Sequence, residues 1–330
     1  MNDKLENKGP LVAAIDLGTN TCRLLIAQKT EATLVPVEIF TRIVRLGDEL
    51  VTYKRISNVA RGRAVDALSE CAKRLEKYSV SALRCVATAA CRDALNRDAF
   101  VQEIREKTGL PLEVISTQEE ARLAMMSCAD QLTQCTRYAL IFDIGGGSTE
   151  LAWVELIPGS VPQVIDSVSI PFGVVTVAEA IRGEPDEHEF QAKVRRAMAK
   201  ETKAFADRCH VHPHLRKQAI QMIGTSGTLT TLAAIYKNLD HYDRAQVHGM
   251  VLNQKELQSL IYKVSRMTLH ERLLHPCIGP QRADLIMGGV VIFQGIYDIF
   301  GINEVKVVDR GLREGIIFDL FLKTQGGVAA

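Results

Sequence analysis

A run of small and polar residues near the middle of the chain has the composition of a phosphate-binding turn. Residues 142–151 read FDIGGGSTEL. Each glycine costs about 0.5–1 kcal/mol of chain entropy relative to alanine in regular structure, so three in succession require a reason. Backbone N–H groups of such a turn can bind an oxyanion, and hydroxyl groups can add donors. The candidate phosphate ligands are Gly145, Gly146, Gly147, Ser148 and Thr149.

The residues after the glycines decide which kind of turn this is. Rossmann and P-loop sites place the phosphate at the N-terminus of a helix. Here STELAWVEL alternates in the manner of a strand, and no G-K-[ST] follows the glycines. The sequence therefore predicts a β-hairpin, whose carboxylates Asp143 and Glu150 are candidate ligands for a divalent cation. A plain tight hairpin, with Glu150 as a surface carboxylate, is the alternative.

The same pattern occurs once more near the N-terminus. Residues 13–27, AAIDLGTNTCRLLIA, and residues 140–154, LIFDIGGGSTELAWV, both contain a strand, Asp-x-Gly, a short Thr-containing turn and a second strand. Asp16 is thereby a further candidate metal ligand. Two such turns, facing each other across a cleft, would form a clamp for a chain of phosphates.

Apolar periodicity predicts an α/β segment around each turn. Three β-branched runs within residues 11–46 predict a meander of strands, and residues 90–109, ACRDALNRDAFVQEIREKTG, predict a helix. The pattern restarts at YALIFDIGGG and ends with a strand at 304–309 and a helix at 311–323. At about 150 residues per domain the length fits two domains. We expect a first domain of residues 1–125 plus 310–330 and a second of residues 126–309.

Composition and charge argue against several classes of protein. Lys+Arg (40) and Asp+Glu (39) nearly cancel, which argues against nucleic acid or a membrane surface as partner. The eight cysteines show no C-x-x-C spacing, so reduced packing residues are expected rather than a zinc site. The N-terminal MNDKLENKGP is charged, and the longest apolar stretch, 285–300, is short for a bilayer. A cytoplasmic protein is expected.

Several motifs together resemble the exopolyphosphatase/guanosine pentaphosphate phosphatase (Ppx/GppA) family. They are AAIDLGTNTCRLLIA, FDIGGGSTELAW, ISTQEEARL, GTSGTLTTLAA and DRGLREG, supported by CRDALN, VHGMVL and QRADLIMGG, and they span nearly the whole chain. The resemblance implies two ribonuclease-H-like domains of the actin-like superfamily around a central cleft. Long relatives carry an extra C-terminal domain of the HD type. The given sequence of 330 residues resembles a short form of the family that lacks this domain. The resemblance to a short form implies a preference for shorter phosphate chains.

The resemblance also implies a reaction and a base. The reaction is Mg²⁺-dependent hydrolysis of a terminal phosphoanhydride, in inorganic polyphosphate or in guanosine pentaphosphate. The general base is implied to be Glu120, the second glutamate of the EEA motif. Spacing alone leaves a capping role open for either glutamate, because Ser116 precedes Glu119, and Thr117 precedes Glu120, by three residues. Glu119 is left as the expected cap.

The anion-binding residues implied by the resemblance lie in two places. Asn20, Thr21 and Arg23 follow the first Asp-x-Gly, and Arg92 belongs to CRDALN. Guanidinium groups suit bidentate contact with phosphate oxygens. Without the resemblance, each arginine would be interpreted as a solvated side chain. The expected partner is polyphosphate or guanosine pentaphosphate, and a homodimer is possible.

Two other classes of function remain as alternatives. A sugar or acetate kinase of the same superfamily would keep both turns but would need a nucleotide pocket and an acceptor site, and the EEA motif argues against it. Residues 224–232, GTSGTLTTL, could hold a nucleoside, or could cap a helix through Thr225 or Ser226. A non-catalytic binder of guanosine polyphosphates would release no phosphate. The expected function is that of an exopolyphosphatase, with guanosine pentaphosphate as the alternative substrate.

Overall fold

The computed structural model describes residues 9–30, 34–133, 135–181, 184, 186–216, 220–301 and 303–325. The chain divides by its internal contacts into two compact units. Unit 1 comprises the residues up to Ser127 together with those from Leu312 onward, and unit 2 is Cys128–Gly311. The chain thus leaves and re-enters unit 1 two residues later than the divisions at 125 and 309 expected from the sequence.

Strands and helices alternate along both units. The strands are β1 (Leu11–Leu17), β2 (Thr21–Lys29), β3 (Leu34–Ile43), β4 (Val80–Ala87), β5 (Leu112–Val114), β6 (Tyr138–Ile144), β7 (Thr149–Glu155), β8 (Gln163–Ile170), β9 (Ile220–Gly224), β10 (Met250–Asn253) and β11 (Glu304–Val307). The helices are α1 (Leu50–Tyr53), α2 (Asn58–Leu75), α3 (Ala89–Asp93), α4 (Arg97–Thr108), α5 (Thr117–Cys128), α6 (Val174–Ile181), α7 (Glu187–Arg208), α8 (His212–Arg216), α9 (Gly227–Tyr236), α10 (Arg244–Val247), α11 (Gln254–Ser265), α12 (Leu269–Leu274), α13 (Ile286–Phe300) and α14 (Leu312–Gln325).

Unit 1 is built on a mixed five-stranded sheet with the order β3-β2-β1-β4-β5. β2 pairs antiparallel with β1 and β3, whereas β4 pairs parallel with β1 and β5. Residues 12–17 of β1 are all buried, as expected for a strand covered on both faces. Residues of α2 and α4 complete the core on one face, and residues of α14 complete it on the other. The last helix of the chain therefore belongs to the core of the first unit.

Unit 2 repeats this architecture with one added strand. The order is β10-β11-β9-β6-β7-β8, in which β8-β7-β6-β9-β11 corresponds to β3-β2-β1-β4-β5 of unit 1. β10 lies at the edge and pairs antiparallel with β11. The core contains the fully buried rings of Phe142, Trp153, Phe205 and Phe293. Each unit thus has the strand order of a ribonuclease-H-like fold, which confirms the fold implied by the family resemblance.

One local prediction was wrong. The helix predicted over residues 90–109 is interrupted between Asp93 and Arg97, because the Asn96 amide group hydrogen-bonds both the N–H (2.9 Å) and the carbonyl (2.9 Å) of Ile56. None of the described helices is both long and apolar enough to cross a bilayer.

Candidate active site

In unit 1, the turn after β1 closes tightly on itself. The N–H of Gly18 donates to the carbonyl of Thr21 at 2.9 Å, so residues 18–21, called here the first turn, connect β1 directly to β2. The register of the two strands places Asp16 directly opposite Arg23. Side chains that are opposite each other in an antiparallel pair lie on the same face. The predicted metal ligand and the predicted phosphate ligand of this unit are therefore neighbours.

The first turn is held from outside by the segment after β3. The carbonyl of Thr19 accepts a hydrogen bond from Gly47 (3.0 Å), and the carbonyl of Asn20 accepts from Val44 (2.9 Å) and Arg45 (3.0 Å). A Cβ atom at position 47 would lie 2.3 Å from Cγ2 of Thr19, so any larger residue would displace the Thr19 side chain. The carbonyl groups of the turn are thus engaged by the protein.

The Asp16 carboxyl lies in an environment that disfavours its charge. The residue is only 8% exposed, and burial raises its pKa above the ordinary value. The guanidinium groups of Arg23 and Arg313 act in the opposite direction, while Glu314 raises the pKa further. A cation beside Asp16 would relieve this cost.

In unit 2, the glycine turn, defined as residues 145–148, closes in the same way. The N–H of Gly145 donates to the carbonyl of Ser148 at 2.9 Å, which reproduces the closure of the first turn. Asp143 lies directly opposite Glu150 across β6 and β7. Glu150 therefore occupies the position that Arg23 has in unit 1. One turn sets an aspartate beside a cation, and the other sets an aspartate beside a second carboxylate.

The glycine turn packs against the start of α6. The carbonyls of Gly145 and Gly146 accept hydrogen bonds from the N–H groups of Val174 and Val175, both at 2.9 Å. A Cβ atom at position 173 would lie 2.3 Å from the carbonyl carbon and oxygen of Gly146. The absence of a side chain at Gly173 is what permits the helix and the turn to meet.

The two hydroxyls of the glycine-turn motif have protein partners in this structure. Ser148 Oγ donates to Glu150 Oε1 at 2.5 Å, and Ser169 Oγ donates to the same oxygen at 2.8 Å. Thr149 Oγ1 donates to the carbonyl of Phe172 at 2.7 Å, and its residue is fully buried. The hydroxyls thereby orient Glu150 and join β7 to the start of α6. The expected contacts of Ser148 and Thr149 with phosphate stay predictions.

Glu120 lies in the first turn of α5 beside Arg92. Nη1 of Arg92 donates to Glu120 Oε2 at 2.5 Å and to the carbonyl of Ile115 at 3.2 Å. The side chains of Arg92 and Glu120 are only 16% and 13% exposed. Capping of α5 comes from Ser116, whose Oγ accepts from the N–H of Glu119 at 3.2 Å. The predicted base and a predicted phosphate ligand are thus in direct contact.

Glu119 has a different set of partners. Its carboxylate accepts from Arg122 (2.8 and 2.9 Å) and from Arg84 (2.7 Å), and Arg122 also donates to Asp319 of α14 (2.9 Å). The hydrogen bonds from Arg122 and Arg84 hold the pKa of Glu119 below its ordinary value. Burial would raise the pKa of Asp319, but hydrogen bonds from Arg122 and Lys323 keep it lowered. The Glu119 carboxylate is therefore part of an ion-pair network rather than a helix cap, and only its i,i+3 spacing to Arg122 gave a local signal.

The donors for a divalent cation are carboxylates at the hairpins. The described ranges contain no group of three or more His, Cys, Asp or Glu residues arranged to hold a metal. Mg²⁺, however, commonly takes one or two carboxylates and completes its shell with water and substrate phosphates. Asp143 and the buried Glu150, side by side in unit 2, fit that requirement. Asp16 supplies a single carboxylate in unit 1.

Known proteins of the same architecture agree with the motifs. The model of the Ppx/GppA phosphatase family matches residues 25–324. Exopolyphosphatase 2 of Mycobacterium tuberculosis is 30% identical over 327 residues, covering 94% of this chain and 98% of that protein. A bifunctional 3-dehydroquinate synthase/phosphatase of Fusobacterium nucleatum is 28% identical and is covered over 47% of its length, with 96% of this chain matched. The crystal structure of the Aquifex aeolicus family member superposes with a TM-score of 0.79 at 29% identity, covering 96% of this chain and 98% of that one. On this match over nearly its whole length, the chain belongs to the Ppx/GppA phosphatase family.

Proposed function

We propose that the protein is an exopolyphosphatase, which hydrolyses the terminal phosphoanhydride of inorganic polyphosphate and releases orthophosphate. The observation that carries this proposal is the contact between Arg92 and Glu120. A phosphate bound by the guanidinium of Arg92 would lie beside a carboxylate able to accept a proton. The N-terminus of α5 is capped by the side chain of Ser116, which accepts from the N–H of Glu119.

In the proposed reaction a water molecule attacks the terminal phosphorus. The new P–O bond forms as the bond to the bridging oxygen breaks, and the shortened chain leaves with that oxygen. Glu120 accepts the proton of the water, a role that typically contributes about 10²–10⁴-fold to the rate. The negative charge on the transferred phosphoryl group must be stabilised by fixed donors and cations.

The two turns supply those donors in the proposal. Asn20, Thr21 and Arg23 are the proposed phosphate ligands of unit 1, and the N–H groups of the glycine turn are those of unit 2. Asp143 and Glu150 are the proposed Mg²⁺ ligands of unit 2, and Asp16 is the further carboxylate ligand proposed in unit 1. The ion, when bound, neutralises charge on the phosphate oxygens.

Guanosine pentaphosphate is the alternative substrate. Residues 224–232 were the candidate for a nucleoside site, but Ser226 caps α9 there, with Oγ accepting from the N–H of Leu229 at 3.3 Å. That contact accounts for the motif without a nucleoside. The expectations of a cytoplasmic location, a homodimer and no nucleic-acid or membrane partner are kept as part of the proposal.

The direct test is release of orthophosphate from tripolyphosphate with and without Mg²⁺. We expect activity that disappears when EDTA removes the ion. Glu120→Gln should lower kcat at least about 10²-fold, because the amide cannot accept the proton. Glu119→Gln, one residue earlier on the same helix, is the matched control and should keep most of the activity. Equal loss in Glu119→Gln with none in Glu120→Gln would assign the base to Glu119.

A further inference from the structure

We propose that Arg92 uses two edges of its guanidinium group at once, one to orient Glu120 and the other to bind the phosphate that Glu120 helps to hydrolyse. Arg92 is then a positioning residue for the base as well as a phosphate ligand. The inference rests on the proposed roles of Arg92 and Glu120, and its binding arm does not require that the protein be active.

Both hydrogens of Nη1 are committed to the protein. One points to the Glu120 carboxylate and the other to the carbonyl of Ile115, which precedes the helix that carries Glu120. Arg92 therefore contacts the start of α5 at two points. A planar guanidinium held at two points has a fixed orientation, and so does the carboxylate paired with it.

The opposite edge of the guanidinium is available for an oxyanion. Within the part of the chain that the structure describes, Nε and Nη2 of Arg92 form no hydrogen bond. These two nitrogens form the fork that binds phosphate oxygens in a bidentate manner. A phosphate on this edge can bind while the contact with Glu120 is kept.

The backbone that carries Arg92 is itself fixed. Ala89, Ala90 and Cys91 of α3 are buried, and the N–H groups of Cys91 and Arg92 donate to the carbonyl of Thr88 at 3.0 and 3.1 Å. After α3, the Asn96 amide group hydrogen-bonds the backbone of Ile56 and so fixes the segment that follows this short helix. The side chain of Arg92 therefore connects α3, which follows β4, to the start of α5.

The kinetic test is a double-mutant cycle on tripolyphosphate hydrolysis. With Glu120 present, Arg92→Ala should lower kcat about 30-fold at saturating substrate, because the base loses its orientation. In the Glu120→Gln background the same substitution should lower kcat less than about 3-fold, since no base remains to be oriented. Equal losses in the two backgrounds would overturn the positioning role.

The binding arm uses methylenediphosphonate, whose P–C–P bridge cannot be hydrolysed, with Mg²⁺ in a calorimetric titration. Arg92→Ala should raise its Kd about 10-fold in both backgrounds, because the phosphate edge is lost in each. An unchanged Kd would overturn the proposal that the Nε and Nη2 edge of Arg92 binds phosphate. A wild-type protein that binds this probe through Arg92 but hydrolyses nothing would contradict the proposed function and leave the phosphate edge supported.

The ion pair of Arg84 with Glu119, the residue before Glu120 on α5, is the matched control. Arg84 donates to Glu119 at 2.7 Å, which is an arginine–glutamate contact of similar length one residue earlier. Arg84→Ala should keep kcat within about 3-fold of the wild type and leave the Kd of methylenediphosphonate unchanged. A loss as large as that in Arg92→Ala would mean that any broken ion pair on α5 lowers kcat, and would overturn the specific role of Arg92.

Discussion

Asp16 combines a buried position with a carboxylate that the proposed function requires to be charged. Its folded-state pKa lies above the ordinary value of 3.8, chiefly because of burial. The folded chain therefore binds this proton more tightly than the unfolded chain does. The resulting loss of stability is absent well below pH 3.8 and is fully present once the pH exceeds the folded-state pKa.

Asp16→Asn should consequently stabilise the metal-free protein at neutral pH. We expect the unfolding temperature in EDTA at pH 7 to rise by about 2–4 °C, the shift that 1 kcal/mol gives in a domain of this size. The difference from the wild type should shrink as the pH falls below about 4. Asp66→Asn, at an exposed position of α2, should change neither value. A lower unfolding temperature for Asp16→Asn at pH 7 would show that Arg23 and Arg313 outweigh burial.

The carboxylate pair of the glycine hairpin gives a second prediction at this scale. Asp143→Asn and Glu150→Gln should each raise the Mg²⁺ concentration for half-maximal rate, about 10-fold or more, because each removes an anionic ligand from a hard cation. Glu155 lies at the far end of β7 and pairs with Arg137. Glu155→Gln is therefore the control and should leave the dependence of the rate on Mg²⁺ concentration unchanged. Identical curves for all three variants would remove Asp143 and Glu150 from the proposed ion site.

At the residue scale, the hairpin pattern predicted which candidate ligands share a turn. Asp16 and Arg23 were placed at one turn and Asp143 and Glu150 at the other, and in the structure the members of each pair lie directly opposite each other. Partners brought from distant segments could not be read in this way. Ser169, which donates to Glu150, is on another strand, and Asp319, which joins the network of Glu119, is on the last helix.

At the scale of elements, the contact between α6 and the glycine turn depends on one missing side chain. Gly173→Ala would place a methyl group 2.3 Å from the backbone of Gly146, which cannot rotate away as a side chain can. We expect a loss of about 1–3 kcal/mol in unfolding free energy and a drop in kcat/KM of at least about 10-fold, since the turn must shift.

Gly62→Ala provides the comparison for this substitution. Gly62 lies within α2, and a Cβ there would meet no atom within 4 Å. Alanine should therefore stabilise that helix by about 0.5–1 kcal/mol and leave kcat/KM unaltered. If Gly173→Ala behaved like Gly62→Ala, the turn and the helix would not be held as tightly as the structure indicates.

Helices and strands were predictable where the local sequence pattern is strong. They were not predictable where a contact with a distant segment interrupts the pattern. Asn253 and Glu256 have the spacing of a capping pair, and they form a complete capping box at the start of α11. The predicted helix over 90–109 has no glycine or proline before its end, yet the bonds of Asn96 to Ile56 interrupt it. Such a side chain to backbone contact competes with helix formation, and the sequence around Asn96 does not reveal its distant partner.

For the whole molecule, duplication made the fold predictable while divergence between the copies carries the function. The two sheets share one strand order, and each has a closed turn after its first strand. At equivalent positions, however, unit 1 has Arg23 and unit 2 has Glu150. In the proposed function this difference gives the first hairpin a cationic phosphate ligand and the second hairpin a second carboxylate for Mg²⁺. This equivalence of Arg23 and Glu150 follows from the register of both hairpins.

The last prediction concerns which phosphate chain the molecule prefers. The formal net charge of the chain is +1, so long-range attraction of a polyanion is weak and binding must come from local groups such as Arg23 and Arg92. Those groups recognise phosphates and not a nucleoside, and the candidate nucleoside segment is explained by the cap of α9. We therefore expect a higher kcat/KM for tripolyphosphate than for guanosine pentaphosphate. For both substrates kcat/KM should fall as ionic strength rises, because exposed charge pairs are screened within about 10 Å at 0.1 M salt. Parallel kinetics on the two substrates at fixed Mg²⁺ measure the ratio directly, and a tenfold preference for the nucleotide would make guanosine pentaphosphate the substrate.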